Sequence, residues 1–145
     1  MPLHRRPLPR TSWRCRIEAS LEMISHLSLG VSDLKRAAAF YDAVLGELGF
    51  VRVWTDATAV GYGPPGGNDA LALKLQPEAV VPPGPGFHLA FAAADPAAVD
   101  RFHAAAMRHG GTDCGAPGLR PHYGDTYYAA FVRDLDGHKL EAVHQ

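Results

Sequence analysis

Apolar and polar residues alternate over Ile24–Val31, with Leu27, Leu29 and Val31 on one face and His26, Ser28 and Gly30 on the other. A period of two predicts a strand. Asp33 follows as a helix N-cap. Leu34, Ala38, Tyr41, Leu45 and Leu48 then recur at helical spacing until Gly49 stops the helix. Phe50–Trp54 and Thr58–Tyr62 predict two strands around a turn at Asp56-Ala57. Gly63–Asp69 is a Gly/Pro loop, and Leu71, Leu73 and Leu75 alternate with Ala70, Ala72 and Lys74 in a fourth strand. The predicted order is βαβββ.

That order then returns. Val80–Gly86, rich in Pro and Gly, is a linker, and Gly86–Ala92 predicts the next strand. Asp95-Pro96 combines an N-cap with Pro at the first helical position, where its missing N–H costs nothing. Val99, Phe102 and Ala106 face inward until Gly110-Gly111 ends the helix. A weak strand starts near Thr112, Ala116–Asp125 is a long polar loop, and Tyr127–Arg133 and Lys139–His144 are strands around a turn at Asp134–Gly137. The letters repeat as well as the pattern. The run from His26 to Asp33 is echoed from His88 to Asp95 at an offset of 62 residues, which also pairs Phe40 with Phe102 and Gly49 with Gly111. Two copies at so long a period are not a solenoid. They predict an α+β fold of two βαβββ modules, about 23–79 and 86–145, within a single domain over 23–145.

Composition narrows the function classes. The chain of 145 residues is long enough for one domain with a real core, and 47% apolar with 20% charged residues is ordinary for a globular protein. The net charge of −1 is unevenly spread: residues 1–22 hold five Arg against two Glu, so the remainder is mildly acidic. No basic stripe suggests a nucleic-acid partner. No run approaches the ~20 apolar residues of a membrane span, and no apolar core of a secretory signal stands near the start. Cys15 and Cys114 do not make a disulfide framework; two free thiols in a reducing cytoplasm are expected. Residues 1–22, with Pro2, Pro7, Pro9 and scattered Arg, read as a basic N-terminal extension: a disordered tail, sequence upstream of a start at Met23, or an arm for an acidic partner.

The candidate chemistry comes from strand geometry. If the Leu and Phe positions pack under the helices, the opposite face carries His26 and His88. In the last strand Leu140 and Ala142 take the helix side, leaving Lys139, Glu141 and Val143 on the open face. Two His and one carboxylate on a shared face match a facial triad for a divalent metal with open positions. Each residue alone also has a plain structural reading, as a hydrogen-bonded His at a strand start or a solvated Glu. In or beside the long loop stand His122, Tyr123, Asp125, Tyr127 and Tyr128. His122, Tyr123 and Tyr127 are candidate catalytic groups, His122 or Tyr123 as acid or base, or else they are aromatic loop anchors. Tyr127 and Tyr128, adjacent on a strand, must face opposite ways.

The run His26-Leu-Ser-Leu-Gly-Val-Ser-Asp-Leu, the pairs Phe40-Tyr41 and Leu45-Gly46, and Asp134-Leu-Asp-Gly-His-Lys-Leu-Glu141 together resemble the vicinal oxygen chelate superfamily. That group includes glyoxalase I, extradiol dioxygenases, fosfomycin resistance proteins and bleomycin-binding proteins. The resemblance covers about residues 23–145. It implies paired βαβββ modules forming a cupped mixed sheet around a site, often completed across a homodimer. It places His26, His88 and Glu141 at the family's ligand positions for a divalent ion such as Zn, Ni, Co, Mn or Fe. The implied activity is metal-dependent lyase or isomerase chemistry on a small oxygen-bearing substrate. The alternatives are extradiol-type ring cleavage and metal-free sequestration of a drug-like ligand. Glyoxalase I resembles this chain at Gly61-Tyr62-Gly63-Pro64 but has a fourth ligand, a Glu, on the next strand, where this chain offers Ala72 and Lys74. Fosfomycin-modifying relatives continue past the last ligand with a basic segment, whereas four residues follow Glu141 here.

Overall fold

The computed structural model describes residues 23–145, so Cys15 and the expected N-terminal extension lie outside the described residues. The first module runs β1 (Leu27–Val31), α1 (Leu34–Gly46), β2 (Val51–Thr55), β3 (Ala59–Gly63) and β4 (Leu71–Leu75). The second runs β5 (Leu89–Ala92), α2 (Pro96–Arg108), β6 (Thr112–Leu119), β7 (Tyr128–Arg133) and β8 (Lys139–His144). The cupped mixed sheet expected from the resemblance is realised as two four-stranded sheets, ordered β1-β4-β3-β2 and β5-β8-β7-β6. In each, the first strand runs parallel to the last and the others pair antiparallel. The register makes the modules equivalent. Leu27 faces Leu71 as Leu89 faces Leu140, so Ala72 occupies the first module's counterpart of the Glu141 position.

Local chemistry explains the helices. The Asp33 carboxylate accepts the Arg36 N–H at 3.0 Å, and the Asp95 carboxylate accepts that of Ala98 at 2.8 Å. Each cap satisfies a backbone donor that the first turn leaves without a partner. The conformational counterpart of Gly49 (φ +85°) is Gly110 (φ +89°), not the Gly111 that the letter-by-letter repeat suggests. Gly111 serves a different end: a Cβ there would stand 3.0 Å from the Phe40 ring and 2.9 Å from the Ala106 carbonyl.

One apolar core runs through both modules, including Leu29, Val31, Phe40, Val44 and Leu73 from the first and Val99, Phe102, Val132 and Leu140 from the second. Each such side chain contributes about 1.5–3 kcal/mol on burial. Each helix packs on its own sheet, and α1 packs against α2. The junction is also polar. The Tyr41 hydroxyl donates to Asp134 Oδ2 at 2.6 Å, and His138 Nδ1 lies 2.8 Å from the same oxygen. Asp134 Oδ1 accepts the backbone N–H groups of Asp136 and His138. Tyr41, Asp134 and His138 are all buried. Burial pushes the Asp134 carboxyl up, but the hydrogen bonds from His138 and Tyr41 outweigh it and hold the group below the ordinary carboxylate range. Burial, then the Asp134 charge, raises the Tyr41 phenol well above its ordinary value. Ser32, which donates to Asp136 Oδ1 at 2.6 Å, and the Arg101–Glu47 ion pair at 3.1 Å tie the modules further.

One element departs from expectation. β6 runs on to Leu119, through most of the first half of the expected loop at Ala116–Asp125. Its pairing with β7 shifts register between Asp113 and Gly115 and again before Gly118. The bulges erase the alternation that would have marked a strand, and Pro117 is tolerated because β6 lies at the sheet edge.

Candidate metal centre

Period two gathers a site on the face of the second sheet away from α2. In β8, Lys139, Glu141 and Val143 share that face, and Phe131 of β7 is the direct cross-strand partner of Glu141. Tyr127, four residues before Phe131, falls on the same face. Its neighbour Tyr128 points the other way, its hydroxyl donating to Asp100 on α2 at 2.6 Å. His88 stands one residue before β5, two before Ala90, which is paired with Glu141. Neither His26 nor His88 lies within its strand: β1 and β5 each begin at the next residue.

The result is a compact pair. His88 Nε2 lies 2.9 Å from Glu141 Oε2, and the Tyr127 hydroxyl donates to Glu141 Oε1 at 2.5 Å. The Glu141 side chain is 1% exposed while that of His88 is 44% exposed, so the carboxylate is held from below and the imidazole opens outward. The Phe131 ring meets His88 edge-on, with centroids 5.7 Å apart. Burial, followed by the hydrogen bond to Glu141 and its charge, pushes the Tyr127 phenol up to about 12. Tyr127 therefore remains a donor throughout the neutral range.

These groups line a hollow of about 490 Å³, with His122 and Tyr123 at its side. The His122 and Tyr123 rings lie 4.1 Å apart between centroids, tilted by 42°, and the Tyr123 and Tyr127 rings 5.2 Å apart, tilted by 47°. All three candidate catalytic residues thus reach the hollow that holds His88 and Glu141. His26 does not join them. It is exposed, its Nδ1 lies 3.0 Å from Ser25 Oγ, and no three His, Cys, Asp or Glu side chains gather among the described residues. Lys139, expected on the open face with Glu141, also lines the hollow, as do Phe131, Arg120 and Cys114, which were not among the expected site residues. Counting by two from Tyr127 finds Phe131; the bulged β6 conceals Cys114 and the Arg120 that follows it. His144, by contrast, is engaged with the Ala93 carbonyl.

Two donor types that a divalent ion takes, an imidazole and a carboxylate, stand together here, and no third His, Cys, Asp or Glu gathers with them among the described residues. His88 Nε2 and Glu141 Oε2 are in direct contact at 2.9 Å, so an ion held by both would replace that contact. An imidazole with a carboxylate suits Zn, Ni, Co, Mn or Fe, and the hydrogen bond from Tyr127 to Glu141 is of the kind that would orient the carboxylate as a ligand. Tyr127→Phe is expected to weaken divalent-metal affinity about 10-fold or more with little loss of thermal stability. Equal affinity in a competition titration against a chromophoric chelator would show that the hydroxyl has no such role.

Residues 23–142 match the model of the Glyoxalase/Bleomycin resistance protein/Dioxygenase superfamily. The chain belongs to this superfamily. A glyoxalase/bleomycin resistance protein from Albidiferax ferrireducens T118 is 37% identical, with 85% of this chain and 98% of that chain covered and a TM-score of 0.73. A glyoxalase-related enzyme from Fulvimarina pelagi, 22% identical over 86% of this chain and 88% of that one, has a TM-score of 0.67 and shares the fold. So does a glyoxylase/bleomycin resistance protein/dioxygenase domain from Frankia sp. EAN1pec, at 22% identity, 83% and 94% coverage and a TM-score of 0.61. No curated protein matches the sequence. Within the superfamily's paired-module fold, the second module holds an acid at Glu141 where the first has Ala72. On the first sheet, Trp54 Nε1 lies 2.2 Å from where a Cβ on Gly61 would stand, and Gly61 is the cross-strand partner of Ala72.

Proposed function

We propose that the chain is a divalent-metal-dependent enzyme of lyase or isomerase type acting on a small oxygen-bearing molecule. The ion is held by His88 and Glu141 of one chain and by His26 of the partner subunit in a homodimer. The observation that carries this reading is the His88–Glu141 pair at 2.9 Å, backed by Tyr127 and opening into a hollow beside His122 and Tyr123. The helices α1 and α2 meet within the chain, and His26 is not brought to the pair, so a second copy is the natural source of the third ligand. A bound divalent cation supplies Lewis-acid stabilisation of charge developing on a substrate oxygen. Glu141 and His88 fix where that charge is met. Tyr127 keeps Glu141 in place. His122 and Tyr123, exposed at the side of the hollow, are the groups available to take and return a substrate proton. The free thiol of exposed Cys114 accords with a cytoplasmic setting, and no described helix is long and apolar enough to cross a membrane.

A second reading has its own support. An apolar hollow of about 260 Å³ lies between the modules, lined by Leu27, Leu45, Phe50, Leu89 and Phe91 among others. It suits metal-free sequestration of an apolar ligand. Metal analysis of protein purified without chelator or affinity nickel separates the two. The proposal predicts about one equivalent of metal per site, lost in His26→Ala and in His88→Ala. Iron would direct substrate screening to oxygen chemistry, and zinc, nickel, cobalt or manganese to lyase and isomerase chemistry. Protein that takes up no divalent ion under any loading condition would overturn the metalloenzyme reading in favour of sequestration.

A further inference from the structure

Arg120 and Lys139 both stand against the ring of Phe131: the Arg120 guanidinium carbon lies 5.9 Å and Lys139 Nζ 5.2 Å from its centroid. Both line the hollow that contains His88 and Glu141. Neither forms a salt bridge among the described residues. The one carboxylate in the hollow, Glu141, is buried and already engaged by His88 and Tyr127. Two like charges brought to one ring, with their acid neighbour spoken for, create a positive field inside a concavity. That arrangement draws in an anion.

The guanidinium is also preorganised. Arg120 Nη1 donates to the Gly118 carbonyl at 3.0 Å and Nη2 to that of Ala116 at 2.8 Å, which fixes the plane on the bulged end of β6. Its Nε–H and a second Nη2–H have no protein partner among the described residues. A planar carboxylate is the natural acceptor for such a pair of donors. Lys139 adds an ammonium whose hydrogen bonds are likewise free among the described residues. The rings of His122, Tyr123 and Tyr127, tilted to one another by 42° and 47°, make an adjoining aromatic wall.

We infer that the hollow around Phe131 is an anion subsite in which the Arg120 guanidinium takes the carboxylate of a small organic acid and Lys139 adds positive charge beside the same ring. The substrate class is then a carboxylate-bearing compound with a second oxygen at its reacting end. This names the substrate of the site proposed above, and rests on that reading only for the reacting end.

The test is an NMR titration of the full chain, stripped of metal, with benzoate, neutral benzamide and inorganic phosphate as probes. Benzoate is expected to bind at least about tenfold more tightly than benzamide. Lys139→Gln and Arg120→Gln are each expected to weaken benzoate about tenfold, the usual scale for one charge-assisted hydrogen bond, and to leave benzamide unchanged. Arg120 also ties down loop carbonyls, so Lys139→Gln, which breaks no hydrogen bond among the described residues, is the cleaner arm. Benzoate binding that is undiminished in both variants, or no tighter than benzamide, would overturn the subsite. Preference for phosphate over benzoate would overturn its assignment to a carboxylate. Because these titrations are metal-free, benzoate binding by a protein that takes up no metal would sink the metal centre and leave the subsite. Loss of benzoate binding with metal retained would do the reverse.

Discussion

Glu141→Gln is expected to abolish metal retention while leaving the protein folded. The substitution preserves volume at a buried position. The amide oxygen still accepts from Tyr127, and the amide N–H can donate to a neutral His88 in its other tautomer. What disappears is the negative charge and the anionic donor, the part of the pair that a divalent cation needs most. Loss of an outer hydrogen bond to a metal ligand costs about 10–100-fold in affinity; loss of the ligand itself is expected to exceed that. Thermal unfolding within a few degrees of wild type, together with loss of bound metal, is the predicted result. Retained metal would place the ion elsewhere. Gross destabilisation would make Glu141 a structural carboxylate first.

The largest effect on stability is expected at Asp134. Its side chain receives Tyr41, His138 and two backbone N–H groups, and it binds the first module's helix to the second module's β7–β8 turn. Asp134→Ala removes the acceptor from all four buried or half-buried donors at once. The cost is expected at about 3–5 kcal/mol, the range for breaking a buried charged pair from one side, measured by denaturant unfolding. The pH dependence has a definite sign. The folded-state pKa of Asp134 lies below its unfolded value of about 3.9. The stabilisation is therefore full above that value and is lost as pH falls through it toward the lower folded pKa. The gap between wild type and Asp134→Ala should narrow as pH falls below about 4. A gap that widens in acid would mean that the carboxyl is protonated in the native state.

Much of this was legible in the sequence, for physical reasons. Strand alternation and capped, amphipathic helices impose their periods directly on the letters, so β4 (Leu71–Leu75) and β8 (Lys139–His144) fall where alternation places them. The duplication revealed the modules, and period two alone put Glu141 on the face away from α2. Three things were hidden. β6 is bulged, and its irregular register leaves no period to read. The Tyr41–Asp134–His138 cluster joins residues from different modules, and nothing local announces it. His26 and His88 occupy equivalent positions in the repeat, but equivalence within a chain is not proximity; the packing of α1 on α2 decides which faces meet.

Subunit complementation tests most directly whether the site is shared between two chains. His26→Ala and Glu141→Gln chains, carrying different tags, are co-expressed, and the mixed dimer is isolated by sequential affinity steps free of immobilised metal. Each homodimer is expected to hold no metal. In the mixed dimer one site pairs the intact His26 of one chain with the intact His88 and Glu141 of the other, so one metal ion per dimer is predicted. A mixed dimer that binds none, while wild type binds two, would contradict the shared site and place all the ligands within a single chain.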